Sequence, residues 1–468
     1  MKPANSTHHI VIIGGGPGGY EAALAGSQLG AKVTLIERQG VGGAAVLTDV
    51  VPSKTLIATA TAAEAVKNAS SLGIRISDNE SVVSVDLASV NKRLLDLAKA
   101  QSKQMLENLV EAGVNVVNGT GRLDGNHHVL VEVEGKPVEK LEAKTIVLAV
   151  GARPRTLPTA EPDGERILNW TQLYNLTELP EHLIVVGSGV TGAEFASAYL
   201  SLGSKVTLVS SRDYVLPGED LDAAALIEDV FRRKGMNILK KSRAEKVERI
   251  QNGVKVQLAD GKTLEGSHVL IAVGSIPNTE GLGLEEAGIA LSESGHIIAN
   301  RVARTSRANV YAVGDCTDFY PLASVASMQG RTAVFHTMGD VAAPTSKRNI
   351  ASNVFTSPEI ASVGWSESDI SEGIAQGQIE KIVLSTNPRA KMQGIQDGFI
   401  KLFARTGSGT VIGGVVVAPT ASELIYPIAM AVENRLTVDE LARTYTVYPS
   451  LTGAIADAAR ALHNPNLD

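Results

Sequence analysis

Apolar positions along the chain come in short blocks separated by polar turns, and two of these blocks carry the same pattern. His9 to Ile13 reads as an apolar strand, Gly14-Gly15-Gly16-Pro17-Gly18-Gly19 as a turn, and Tyr20 to Leu29 as an alanine-rich helix. Lys32-Val33-Thr34-Leu35-Ile36 then predicts a second strand that ends on Glu37. The order recurs with Gly187, which stands 173 residues after Gly14. Leu183 to Val186 is a strand, Gly187-Ser188-Gly189-Val190-Thr191-Gly192 a turn, the helix runs through Leu202, and the strand Lys205 to Val209 ends on Ser210. Glu37 lies 23 residues after Gly14, and Ser210 lies 23 residues after Gly187. Strand, crossover helix and strand at this spacing predict two βαβ units of parallel sheet.

The turns carry the candidate chemistry. In each, the first glycine (Gly14, Gly187) permits a tight turn and the second (Gly16, Gly189) lets the backbone approach a pyrophosphate. The third (Gly19, Gly192) lets helix pack on strand, while the helix start offers free N–H groups to the anion. Two copies in strand-to-helix context, one followed by an acid at the distance of a ribose, point to two Rossmann-like dinucleotide-binding domains. Glu37 suits a ribose with a free 2′-hydroxyl. In the second unit the slot holds Ser210, followed by Ser211 and Arg212. Hydroxyls and a guanidinium favour a 2′-phosphate that a carboxylate would repel, so NADPH is expected there, with NADH also accepted. A solvated loop arginine is the alternative reading of Arg212.

Composition narrows the classes. At about 100–200 residues per domain, 468 residues predict roughly three domains. With 44% hydrophobic and 20% charged residues the chain is of the soluble globular kind, neither disordered nor fibrous. Its single cysteine, Cys316, excludes a disulfide framework and a cysteine-rich zinc site, and no metal is expected. The net charge of −7, without basic runs, speaks against a nucleic-acid partner. No basic segment followed by a long apolar region opens the chain, and no apolar stretch nears the roughly 20 residues that span a bilayer. The expectation is a cytoplasmic protein with neither signal peptide nor membrane span. His8 and His9 read as surface polarity before the first strand rather than as metal ligands.

Further motifs extend over essentially the whole chain: Leu148-Ala149-Val150-Gly151-Ala152-Arg153-Pro154, Ile271-Ala272-Val273-Gly274-Ser275-Ile276-Pro277, and Val310-Tyr311-Ala312-Val313-Gly314-Asp315. With the glycine turns they resemble the pyridine nucleotide-disulfide oxidoreductases, the FAD flavoproteins that include lipoamide dehydrogenase and glutathione reductase. The resemblance implies that Gly151 and Gly274 lie on the strands leading into and out of the nicotinamide domain. It also implies that Asp315 binds the ribityl hydroxyls, that Leu322 and Ala323 lie near the flavin ring, and that Gly121 lies at the adenosine end. Gly43 and Ala44 join them as flavin-site residues. Val354 to Glu359 resembles the start of a C-terminal α+β dimerisation domain, in which Phe399 to Phe403 and Val411 to Val417 read as antiparallel strands.

The departures from that family matter as much. The family's two redox cysteines stand between a Gly-Gly pair and Pro-Ser-Lys; here Gly42-Gly43 and Pro52-Ser53-Lys54 are kept, and the cysteine slots hold Ala45 and Val50. Neither can form the thiolate that disulfide exchange requires. The family's acid–base histidine and glutamate are matched by Tyr448 and Gly453. A phenol with an ordinary pKa near 10 cannot shuttle protons as imidazole does.

What the resemblance leaves active is flavin reduction. Lys54 falls at the position beside the flavin N5 and Glu194 matches the acid paired with it; a lysine that caps a helix after Pro52 is the alternative. Cys316 occupies neither disulfide slot and reads as a packed small residue. The expected enzyme is an NAD(P)H:quinone oxidoreductase that passes electrons through FAD without a redox disulfide. Tyr448 either hydrogen-bonds the quinol oxygen or packs the pocket mouth. Oxygen or a protein as acceptor, and a structural flavoprotein of low activity, are the competing readings. The expected layout is a homodimer with residues 1–151 and 278–347 holding FAD, 152–277 holding NAD(P)H, and 348–468 forming the dimerisation domain.

Overall fold

Five strands, His9–Ile13 at their centre, form the first parallel sheet, in the order Asn115–Asn118, Lys32–Glu37, His9–Ile13, Thr145–Leu148, Val310–Ala312. The computed structural model describes residues 8–74 and 84–463; the residues before His8, on which the signal-peptide expectation rests, lie outside that range. The chain divides into two compact units, one from residues 1–55, 91–155 and 274–346, the other from 56–90, 156–273 and 347–468. The first parallel sheet belongs to the first unit. The second unit repeats four of these strands in the same spatial order with Asn237–Leu239, Lys205–Val209, His182–Val186 and His268–Ile271, and its fifth, Ile167–Asn169, precedes them in the chain where Val310–Ala312 follows.

The repeat reaches further than the glycine turns. Each unit adds a three-stranded antiparallel meander: Thr120–Leu123, His128–Glu132 and Glu139–Glu142 in the first, Ala244–Ile250, Gly253–Leu258 and Thr263–Gly266 in the second. It also includes a side-chain pair, because His9 Nε2 meets Thr34 Oγ1 at 2.9 Å and His182 Nε2 meets Thr207 Oγ1 at 2.8 Å. These partners corrected the reading of the first two histidines as surface polarity. His8 is buried, and its Nε2 lies 2.9 Å from Thr145 Oγ1.

Local sequence explains the elements. Ile10, Val11 and Ile12 have no exposed surface, as expected of a parallel strand covered on its two faces. The helix predicted from Tyr20 starts at Pro17, whose fixed φ and missing N–H suit a first helical position. Its small residues let another helix, Ala323–Met338, approach backbone to backbone: a Cβ at Gly330 would stand 2.1 Å from the Gly18 oxygen.

In the second unit the C-terminal sheet is antiparallel throughout, in the order Ser352–Val354, Glu359–Gly364, Val411–Ala418, Phe399–Ala404, Gln378–Val383. Both strands expected there form, each one residue longer than read. Ile400, Leu402 and Val416 pack with Ile425 and Ile428 of the helix Ala421–Asn434. Among the described residues no helix is long and apolar enough to cross a membrane.

A buried ammonium lies inside this unit. Lys401, 2% exposed, bonds Asp220 at 3.0 Å, Asp222 at 2.9 Å and Glu367. The three acids would suit a cation, and the ammonium takes that place. Burial works to lower the Lys401 pKa, but the bonds to Glu367, Asp222 and Asp220 outweigh it and raise the pKa. Asp222 is held below the usual carboxylate range by hydrogen bonds from Lys381 and Lys401. Removing the ammonium strands the buried Asp220, while the half-exposed Asp222 and Glu367 can turn to water, so Lys401→Ala is expected to lower the melting temperature by a few degrees, on the order of 2 kcal/mol. A depressed carboxylate pKa adds stability above the unfolded value and loses it as pH falls through the folded one. The deficit, measured by calorimetry from pH 3 to 8, should therefore be full at neutrality and shrink below about pH 4.

Candidate active site

The first glycine turn is shaped by contacts that admit no side chain. Gly14 has φ +101°, and a Cβ there would lie 2.3 Å from the Ala149 oxygen. A Cβ at Gly19 would lie 1.9 Å from the oxygen of Gly14, so the helix rests on the strand end. Gly16 differs: no protein atom lies within 4 Å of a Cβ built on it. Protein packing does not require that glycine, and the open space before a helix start is what a pyrophosphate needs.

Other groups frame the same turn. Glu37 Oε2 accepts the Gly15 N–H at 2.7 Å and its Oε1 accepts that of Gln39 at 2.7 Å, which fixes the carboxylate with lone pairs to spare. Gly121 packs its Cα side against Ile13 and Ile36. Gly42 N donates to Gly15 O at 2.7 Å, and a Cβ on Gly43 would meet Gly16 Cα at 3.0 Å, so the short helix Gly43–Leu47 is built directly on the turn. Ala44 is exposed and Ala45 half-buried on that helix; Val50 opens the helix Val50–Lys67, with Lys54 in its second turn. Gly151 takes φ +64° and Gly274 φ +93°, beside the antiparallel pair Ala152–Pro154 and Ser275–Pro277.

Asp315 lies in the turn Gly314–Cys316, and no cation pairs with it among the described residues. Burial pushes its pKa up to about 6, and repulsion from Asp49 adds to the shift. Such a carboxyl gains from hydroxyl donors, so a polyol fits it. Asp49 was missed in the sequence, although it is the one acid between Ala45 and Pro52. Leu322 and Ala323 begin the helix Ala323–Met338.

In the second unit the turn repeats the first. A Cβ at Gly187, φ +114°, would lie 2.1 Å from the Ala272 oxygen, and one at Gly192 would lie 1.9 Å from the Gly187 oxygen. Gly189, like Gly16, faces open space. Ser210 is completely buried, and its hydroxyl lies 2.7 Å from Ser188 Oγ and accepts the Arg212 N–H at 3.1 Å. It therefore orders the loop, and Ser211 and Arg212 are the exposed members of the trio. Glu194 is 4% exposed, with Oε1 accepting the Phe355 N–H at 2.9 Å, while Tyr448 is 82% exposed. Sequence reasoning could not see the Ser188 or Phe355 contacts, because each joins distant segments.

A family model described as pyridine nucleotide-disulphide oxidoreductase matches residues 8–330, and the dimerisation domain of the same name matches residues 350–459. The chain belongs to this family. It is 49% identical over 462 residues, 97% of this chain and 93% of the other, to the NAD(P)H dehydrogenase (quinone) of Mycobacterium tuberculosis. To the dihydrolipoyl dehydrogenase of Geobacillus stearothermophilus it is 33% identical, over 97% of this chain and 96% of that one. The crystal structure of LpdA from Mycobacterium tuberculosis superposes with a TM-score of 0.94 at 48% identity, covering 98% of this chain and all of that one. This oxidoreductase is thus a flavoprotein enzyme that uses FAD and NAD(P)H, on the α/β architecture read from its sequence.

As an oxidoreductase of this family it cannot carry the family's intrachain redox disulfide. Its only cysteine cannot form an intrachain disulfide. Cys316 has no exposed surface, packs with Leu148, Ile297 and Val310, and donates weakly to Val313 O at 3.3 Å. Burial pushes its pKa up to about 12. A thiol-specific reagent such as dithionitrobenzoate should therefore leave the native protein untouched at pH 8 and release one equivalent only after denaturation. Rapid native labelling would show a reachable thiol and reopen the question of a cysteine role.

Proposed function

We propose that this chain is an FAD-dependent reductase that oxidises NADPH, and more weakly NADH, and reduces quinones directly, working as a homodimer in the cytoplasm. The observation that carries this reading is the lone, buried Cys316: with no reachable thiol, an acceptor must be one that needs no dithiol relay. The name of the mycobacterial relative supports the quinone as acceptor. Exposed Tyr426, Tyr445, Val447 and Tyr448 in the dimerisation domain support a second copy. A single buried cysteine suits a reducing compartment.

Bound FAD supplies the two-electron chemistry, and the net reaction takes NADPH, a proton and a quinone to NADP⁺ and a quinol. We assign FAD to residues 1–151 and 278–347, NAD(P)H to 152–277 and dimerisation to 348–468. Gly14, Gly16 and Gly19 hold the FAD pyrophosphate, Glu37 accepts the adenosine ribose hydroxyl, and Asp315 accepts from the ribityl chain. Gly43, Ala44, Gly121, Gly151, Gly274, Leu322 and Ala323 shape the flavin's surroundings without charge. Gly187, Gly189 and Gly192 hold the NADPH pyrophosphate, while Ser211 and Arg212 bind the 2′-phosphate from a loop ordered by Ser210. Lys54 orients the flavin with a positive charge and Glu194 supports that arrangement by fixing its neighbourhood. Ala45 and Val50 place methyl groups where thiols would stand, and Tyr448 offers the proton on its Oη.

Two measurements test this reading. In anaerobic rapid mixing, NADPH should bleach the flavin with no thiolate-to-flavin charge-transfer band, and menadione should restore the colour while lipoamide and glutathione disulfide do not. Turnover of either disulfide would sink the proposal, and restoration by oxygen alone would move the acceptor. Arg212→Ala should raise the KM for NADPH about 10- to 100-fold, the range of a lost charged hydrogen bond, and leave that for NADH within about twofold. Equal changes for the two coenzymes would return Arg212 to a solvated loop residue.

A further inference from the structure

A cavity of about 440 Å³ opens at one end of the C-terminal sheet, in the second unit. Arg348, Arg405 and Arg435 line it with Asn349, Trp365 and Thr410, and no carboxylate is among its lining residues. Three guanidiniums around one space repel one another, in a chain whose net charge is −7. Arg348 has compensation: its guanidinium lies 3.2 Å from Asp369 and stacks on the Trp365 indole. Neither Arg405 nor Arg435 forms an ion pair among the described residues.

The backbone fixes these side chains from four segments. Arg405 N donates to Thr410 O at 2.8 Å across the turn that joins two strands, and Val411 N donates to Leu436 O at 2.8 Å. Trp365 N donates to Ile412 O at 2.9 Å, and Arg348 enters from the turn Lys347–Asn349. Arg435 ends the helix Ala421–Asn434 at φ +56°, a left-handed conformation usually given to glycine or asparagine. A cation does complement a helix C-terminus. That benefit needs neither a left-handed arginine nor two more arginines across the cavity.

We propose that this cavity binds a small molecule carrying two or more phosphate groups, through the guanidiniums of Arg348, Arg405 and Arg435. Guanidinium matches phosphate oxygens in paired hydrogen bonds, and the volume falls in the range of ligand pockets, about 300–1,000 Å³. Nucleoside triphosphates and inorganic polyphosphate share this chemistry, and the site lies outside the two glycine turns.

Full-length, FAD-loaded protein is titrated calorimetrically with inorganic tripolyphosphate and with ATP, in the presence of saturating NADP⁺ so that the nicotinamide site is filled. The expected result is one saturable site per chain that weakens steeply as salt rises, with a dissociation constant at or below about 1 mM at low salt. ATP binding tighter than tripolyphosphate identifies a nucleotide; equal binding identifies the phosphates alone as the recognised group. Arg405→Ala with Arg435→Ala should weaken binding at least about tenfold while flavin content and NADPH oxidation stay as in the parent. Arg435→Gly gives a readout that damage to the fold cannot mimic: it relieves the left-handed arginine, so the melting temperature should hold or rise while affinity falls. Absence of saturable binding to the parent protein, or binding that survives the double substitution, overturns the proposal.

Discussion

Two backbone contacts, each closed to any side chain, decide where the chemistry of this protein can stand. In either unit a carbonyl oxygen lies 1.9 Å from where the third glycine's Cβ would be, and another lies 2.1–2.3 Å from that of the first. Strand, turn and helix are therefore locked backbone to backbone, and the helix start points its free N–H groups into the space before Gly16 or Gly189. The rest of each unit follows from that lock. A parallel sheet with the same order of its first four strands and a three-stranded meander accompany each turn. In the first unit the short helix Gly43–Leu47 is seated on it through Gly42 and Gly43.

The two turns share geometry and differ in what their second strands end on. Glu37 uses its carboxylate to tie Gly15 and Gln39, and remains an acceptor. Ser210 sinks completely and clamps Ser188, handing the exposed end of the loop to Ser211 and Arg212. One framework thus presents a negative rim in one unit and a positive one in the other. Electrostatics of a different kind hold the second unit: Lys401 and Lys381 join Asp220, Asp222 and Glu367, so two strands of the C-terminal sheet are tied to the start of the helix Leu221–Arg233. A buried ammonium is tolerable only with such partners.

The two parallel sheets were legible because strands buried on both faces read as uninterrupted apolar blocks, and because glycine and proline mark the turns between them. His9–Ile13 and Lys205–Val209 have the bounds their sequence predicts. The meanders and the helix Leu87–Glu111 were not anticipated; their strands and faces mix charged with apolar residues, and their pairing is fixed by packing that no local pattern carries. The same holds for the candidate sites. Glycine positions follow from local backbone needs and could be read directly. The burial of His8 depends on Thr145, that of Ser210 on Ser188, and the arginine cavity on four segments spread from residue 348 to residue 435.

The division between backbone scaffold and side-chain chemistry also explains how a disulfide reductase framework can exist without its thiols. What seats the helix Gly43–Leu47 is the Gly42 N–H and the absence of a Cβ at Gly43, and those features remain. Ala45 is half-buried, while Val50 and Tyr448 are exposed and Gly453 only begins the helix Gly453–Ala461. None of these four positions takes part in the glycine-turn contacts, so exchanging their side chains alters reactivity at little cost to the fold. The two departures belong together chemically: with no disulfide to be reduced to thiolates, an imidazole that would protonate them has no function. Exchanging thiols for the methyl groups of Ala45 and Val50 makes those two positions apolar and redox-inert without touching the backbone contacts that seat the helix.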